Sequence, residues 1–105
     1  MANQVLLLAA DRIESLGWCQ HNYGVGENGN ARRPGGLLDA NLNQSPIRET
    51  CPIGAIRAVE SDKQKGDEAK AVLSAFLGVK NIADWNDDPA RTKAEVVAAM
   101  RKAAK

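Results

Sequence analysis

Asp67-Glu68-Ala69-Lys70-Ala71-Val72-Leu73-Ser74-Ala75-Phe76-Leu77-Gly78 is the stretch on which the fold class turns. Ala69, Val72, Leu73, Phe76 and Leu77 recur at three- and four-residue spacing, which aligns them along one stripe of an α-helix and on no single face of a strand. Asp67 stands where an N-cap is needed, and Gly78 supplies a residue at ease with left-handed φ just past the end. The segment predicts a capped amphipathic helix.

The same periodicity continues on both sides. Downstream, Asn81 to Asn86 reads as a short turn of helix stopped by Asp88-Pro89. Thr92-Lys93-Ala94-Glu95 is a capping box, and it opens a last helix to about Lys102 with Val96, Val97 and Met100 inward. Upstream, Ser61 to Gly66 is a charged connector. Before it, Ile47, Cys51, Ala55 and Val59 repeat every four residues with Ile56 beside them, and Ser45-Pro46 offers an N-cap and a first-turn proline. Pro52 lies inside that repeat, where it removes a hydrogen bond and clashes one turn back. Either the helix kinks there, or a single turn precedes a new helix from Cys51 to Glu60.

At the N-terminus Val5, Leu8, Ala9, Ile13 and Leu16 keep helical spacing from about Asn3, with Gly17 at the end. Between this helix and the central one, Trp18 to Val25 alternates loosely and Asn28-Gly29 is a strong hairpin signal. A return strand would run from Asn30 to Arg33 before Pro34-Gly35-Gly36. This is a short hairpin or an ordered loop. The expected fold is mainly α: a compact bundle of four to five short helices, with a hairpin or irregular loop between the first and second, in one domain over residues 1–105. Its core should include Val5, Ile13, Leu16, Cys51, Ala55, Ile56, Val59, Val72, Leu73, Phe76, Trp85, Val97 and Met100.

Composition agrees with an ordinary globular domain: 105 residues, 44% hydrophobic and 26% charged. Trp18, Tyr23, Phe76 and Trp85 are the whole aromatic supply, so aliphatic side chains and alanine must fill the core. The formal charge of +1 gives no global pull toward nucleic acid or acidic membranes. Val5 to Ala10 is apolar, but no basic residue precedes it and Asp11, Arg12 and Glu14 follow, which is an amphipathic helix and not a secretory signal. Two cysteines in a chain without a leader or spanning segment point to reduced thiols in a cytoplasm.

Three separated motifs line up along the chain. They are Gly17-Trp18-Cys19-Gln20, then Cys51-Pro52-Ile53-Gly54-Ala55-Ile56, then Trp85-Asn86-Asp87-Asp88-Pro89-Ala90-Arg91-Thr92 with Ala94-Glu95-Val96 behind it. Their order resembles a family of small uncharacterised proteins, a domain of unknown function, found in actinobacteria and their phages. The resemblance spans nearly the whole chain, and its last motif is the most specific. It implies a setting, an actinobacterial or phage cytoplasm, and carries no reaction with it.

Several residues invite chemistry. Cys19, His21 and Cys51, joined by a carboxylate such as Glu49, could hold zinc, but their spacing matches no common zinc module and a buried cysteine behaves as a small hydrophobe. The same thiols with His21 as base could form a nucleophile, yet no oxyanion loop or orienting residue is evident. Gly24-Val25-Gly26-Glu27-Asn28-Gly29 spells G-x-G-x-x-G without the strand before and helix after that a dinucleotide site needs. No cofactor and no metal is therefore expected. Asn86, Asp87, Asp88 and Arg91 could form a polar site beside Trp85, against the stronger reading that Trp85 covers one end of the core and Asn86 or Asp87 ties the turn.

The function expected from this is non-enzymatic: a protein-interaction module, in a phage setting a modulator of a host protein, with Trp18, Tyr23 and His21 as the interface. A nucleic-acid accessory role through the basic C-terminal helix (Lys93, Arg101, Lys102, Lys105) is the alternative, since the segment from Arg91 onward carries +4. A thiol-dependent enzyme comes third. The partner is expected to be another protein, with no membrane involved.

Overall fold

The computed structural model describes residues 2–21, 24–26, 31–32 and 47–105. The first helix, α1 (Ala2–Leu16), runs through the middle of the molecule with α2 (Pro52–Val59), α3 (Lys63–Leu77) and α5 (Lys93–Ala103) packed on it. The short α4 (Ile82–Asn86) closes one end against α2 and α3. Five helices among the described residues thus form the mainly helical bundle that the sequence pattern predicts.

On α1 the buried side chains are Val5, Leu6, Ala9, Ala10 and Ile13, two rows at four-residue spacing. Ala9 and Ala10 carry no bulk beyond Cβ, which lets neighbouring helices approach closely. Leu6 and Ile13 then meet Ile56, Leu73, Val96 and Met100, all fully buried. The structure corrects the expected stripe here: Leu8 is 47% exposed and Leu16 is 42% exposed. The apolar face is rotated toward Leu6, because α1 is covered on several sides at once and its phase follows those neighbours. Phe76, expected in the core, is 51% exposed for the same reason on α3, where only Gly66, Ala69 and Leu73 are fully covered.

Between α1 and α2 lies a small antiparallel sheet in the order β2-β1-β3, made of β1 (Gly24–Gly26), β2 (Ala31–Arg32) and β3 (Ile47–Thr50). Gly24 faces Arg32 and Val25 faces Ala31, so the hairpin reading holds. On its other edge β1 pairs Gly24 with Thr50 and Val25 with Glu49, then slips by a bulge to set Gly26 against Ile47. The helix expected from Ile47 is overturned: these residues form β3, and the proposed cap Ser45 lies outside the described residues. Pro52 does not kink a helix. It occupies the first turn of α2, where a missing N–H costs nothing, and the Cys51 thiol caps the helix by accepting the Gly54 N–H at 3.3 Å.

α3 also starts earlier than the sequence suggests. Its N-cap is Asp62, whose carboxylate accepts the Lys65 N–H, and not Asp67. Asp67 instead takes the Lys63 and Lys70 ammonium groups at 2.7 and 3.4 Å on the helix surface. Gly66 lies within the first turn because α2 crosses there; a Cβ on it would stand 3.7 Å from the Ile56 Cγ2. At the other end Gly78, at φ +70°, closes α3, and the Ser74 hydroxyl donates to the Val79 carbonyl. Asn81 caps α4 and Thr92 caps α5 through the complete capping box with Glu95. No described helix is long and apolar enough to cross a membrane.

Candidate functional site

The chain leaves α1 through Gly17, whose φ of +131° no side chain adopts readily. That turn lays Gly17 to Cys19 alongside Thr50. The Thr50 N–H donates to the Gly17 carbonyl at 3.2 Å and the Cys19 N–H donates to the Thr50 carbonyl at 3.3 Å, a parallel bridge between Trp18 and Thr50. The segment is then held from the opposite side by the end of α4.

Asn86 is the centre of that contact. It is polar and completely buried, and each end of its amide has a partner. The Trp18 indole Nε1–H donates to Asn86 Oδ1 at 2.6 Å, and Asn86 Nδ2 donates to the Cys19 carbonyl at 3.1 Å. Gln20 extends the contact by donating its Nε2 hydrogens to the carbonyls of Asn86 and Asp88, at 2.9 and 2.8 Å. The His21 N–H donates to Asp87 Oδ1 at 2.7 Å, and His21 Nδ1 stands 3.6 Å from Asp87 Oδ2. His21 itself sits at φ +69°, a conformation that this bond to Asp87 helps to hold.

Beside Trp85, Arg91 is fixed by four contacts, one of them an ion pair with Asp88 at 3.9 Å. Its Nε donates to the Trp85 carbonyl at 2.9 Å, its Nη1 donates to Glu95 Oε2 at 2.7 Å, and its guanidinium lies 4.1 Å over the Trp85 ring. Trp18 of one sequence motif, with His21 just after it, and Asn86 and Asp87 of another are therefore one cluster, joined by Trp85 and Arg91. Tyr23 lies outside the described residues. Sequence reasoning treated the two groups as separate and missed Gln20 as their link, although Gln20 stands in the quoted Gly-Trp-Cys-Gln motif; Asp88 was expected in the polar site, but not as a partner of Gln20. Thr50 was missed too: its hydroxyl oxygen is buried and, among the described residues, has no hydrogen-bond partner.

Both cysteines are buried beside this cluster as thiols. Burial, with Cys51 and Glu49 nearby, pushes Cys19 up to about 12. Burial pushes Cys51 up to about 11, against the helix N–H groups of Gly54 and Ile53 that favour its thiolate. Neither holds an appreciable thiolate fraction at neutral pH, which a nucleophile would need. His21 is turned to Asp87, and among the described residues no three His, Cys, Asp or Glu side chains converge to hold a metal ion. Gly24–Gly26 is a strand between two others, so the first half of the G-x-G-x-x-G string forms no phosphate turn. With the Asn86 amide bonded at both ends and Gln20 holding two carbonyls, the arrangement acts as a polar clasp between the start and the end of the fold. The imidazole of His21, 72% exposed, is its outward-facing part.

A profile of the family of unknown function DUF6197 matches residues 1–105, and the chain belongs to that family. Neither a curated protein nor a solved structure matches it.

Proposed function

We propose that this member of the family is a non-enzymatic protein-interaction module of the actinobacterial or phage cytoplasm, where a phage-borne copy would modulate a host protein. The observation that supports this reading most is the exposure of large apolar side chains: Leu7, Leu8, Leu16 and Phe76 are each between 42% and 51% exposed. Leu7 precedes Glu14 by seven residues and so shares its helix face. Glu14 lines a shallow groove of about 270 Å³ between α1 and α5, with Lys93, Ala94, Val97, Ala98 and Arg101. Leu7 and the small residues of that groove offer an apolar seat with a charged rim, the usual layout of an interface. The anchor shifts from Trp18, whose indole edge is bonded to Asn86, to α1.

The nucleic-acid alternative is weaker. Arg101 donates to Asp11 and Glu14, which leaves Lys93, Lys102 and Lys105 to meet phosphates.

Leu7→Lys and Ala98→Arg, both at exposed positions, should keep the helical circular dichroism and the melting temperature of the parent. Cross-linking and pull-down from host lysate should return a partner with the parent protein and lose it with either variant. A partner kept equally by both variants, or repeated failure to capture one, would overturn the proposal. Salt-sensitive retention of DNA, abolished by neutralising Lys102, would favour the alternative.

A further inference from the structure

The parallel bridge that sets Trp18 opposite Thr50 has a consequence one residue further on. Cys19 and Cys51 follow the bridged pair in the same register, so they occupy facing positions on two chains whose usual separation, about 4.8 Å, falls inside the Cα spacing of disulfides. Side chains at equivalent steps of a parallel pair point to the same side, and Cys51 keeps extended backbone, φ −81° and ψ 173°, before α2 begins. The Cys51 N–H is also directed at the Cys19 sulfur as a hydrogen bond. Both residues are buried, Cys19 at 9% and Cys51 at 4% exposure.

We infer that Cys19 and Cys51 are a site of oxidative modification, closing an intramolecular disulfide when the folded protein meets hydrogen peroxide. One thiolate attacks a peroxide oxygen: the S–O bond forms, the O–O bond breaks, and the departing hydroxide is protonated to water. The facing thiol then attacks the sulfur of that sulfenic acid, the S–S bond forms, and the second oxygen leaves as water. Two electrons pass from the sulfurs to the peroxide, with no other reactant. Burial keeps both groups as thiols at neutral pH and makes the reaction slow. The bond would fasten the end of α1 to the start of α2 and enclose the whole intervening chain in one loop.

The test uses the 105-residue protein. It is incubated with hydrogen peroxide, quenched, alkylated in denaturant with iodoacetamide and digested with trypsin without reduction. The expected product joins peptides 13–32 and 49–57, lighter than their sum by two hydrogens, and it disappears on reduction. The cross-linked protein should melt about 10 °C higher than the reduced form. Cys19→Ser should abolish the cross-link and leave a dimedone-reactive sulfenic acid on Cys51. Full alkylation of both cysteines after peroxide, separate sulfinic acids on the two peptides, or disulfides only between molecules would each overturn the inference.

Discussion

Two seams join the beginning of this chain to its end, and they are built of similar polar groups in opposite surroundings. At one, Trp18, Cys19 and Gln20 meet Asn86 and Asp88 around a fully buried amide. At the other, Arg101 of α5 donates to Asp11 at 2.9 Å and to both oxygens of Glu14 at 2.9 and 3.1 Å, on the surface of α1. The second seam has the formal charges and the shorter inventory of partners. Water decides which matters more. At the exposed seam each charge is well solvated when the contact opens, so forming it gains little. At the buried seam the Asn86 amide has no solvent to turn to when its bonds are lost, and the penalty there is that of desolvation.

The largest effect is therefore expected at Asn86. Asn86→Ala removes the acceptor for the Trp18 indole and the donor for the Cys19 carbonyl in one step, and should cost about 3 kcal/mol in chemical denaturation. Trp18→Phe removes a single donor and keeps most of the ring; its cost should be clearly smaller. Equal losses would mean that the clasp is held by the aromatic ring and not by its hydrogen bonds. Next comes Gly17→Ala. The added Cβ would stand 2.8 Å from the Glu49 Cγ, and alanine at φ +131° is strained whatever the space. About 2 kcal/mol is expected. Glu49→Ala combined with it separates the two causes, since it relieves the clash and leaves the strain.

How much of this was legible beforehand depends on how local the cause is. The Thr92–Glu95 box and the Gly78 stop are visible because each is settled within four or five residues of its own chain. The start of α3 was misplaced for the converse reason. Gly66 looks like a break, yet it sits inside the helix because Ile56 crosses over it, and nothing near Gly66 announces that crossing. Ile47 to Thr50 has helical spacing on paper, but its hydrogen bonds go to Gly24–Gly26, more than twenty residues away, and they make it a strand. The exposed Leu8, Leu16 and Phe76 reflect a phase set by several neighbours at once. The clasp is the same kind of case: its two halves are separate motifs in sequence, and only the turn at Gly17 and the end of α4 bring them within hydrogen-bond reach.

Arg91 is an intermediate case between the seams, since its side chain is 16% exposed. Arg91→Lys keeps the charge and loses both the planar stacking on Trp85 and the Nε bond to its carbonyl. A loss of about 1 kcal/mol is expected, nearly independent of salt, because the lost contacts are geometric. Recovery of the parent stability at low salt would show that the charge alone matters, and would place Arg91 with the exposed seam.

Arg101→Gln should have the smallest effect of all, and its conditions are more telling than its size. The Arg101 hydrogen bonds hold the Glu14 carboxyl below its usual range, in an arrangement open to solvent. A carboxylate lowered in the folded state contributes stability that is fully present above its unfolded value, near 4.5, and is lost as pH falls through the folded value. The parent should therefore lose slightly more stability than Arg101→Gln as pH drops below about 4.5, and the gap should close at high salt as screening removes the attraction. An Arg101→Gln loss that persists at high salt and at low pH would mean that packing of the arginine stem against α1, and not its charge, joins the two helices.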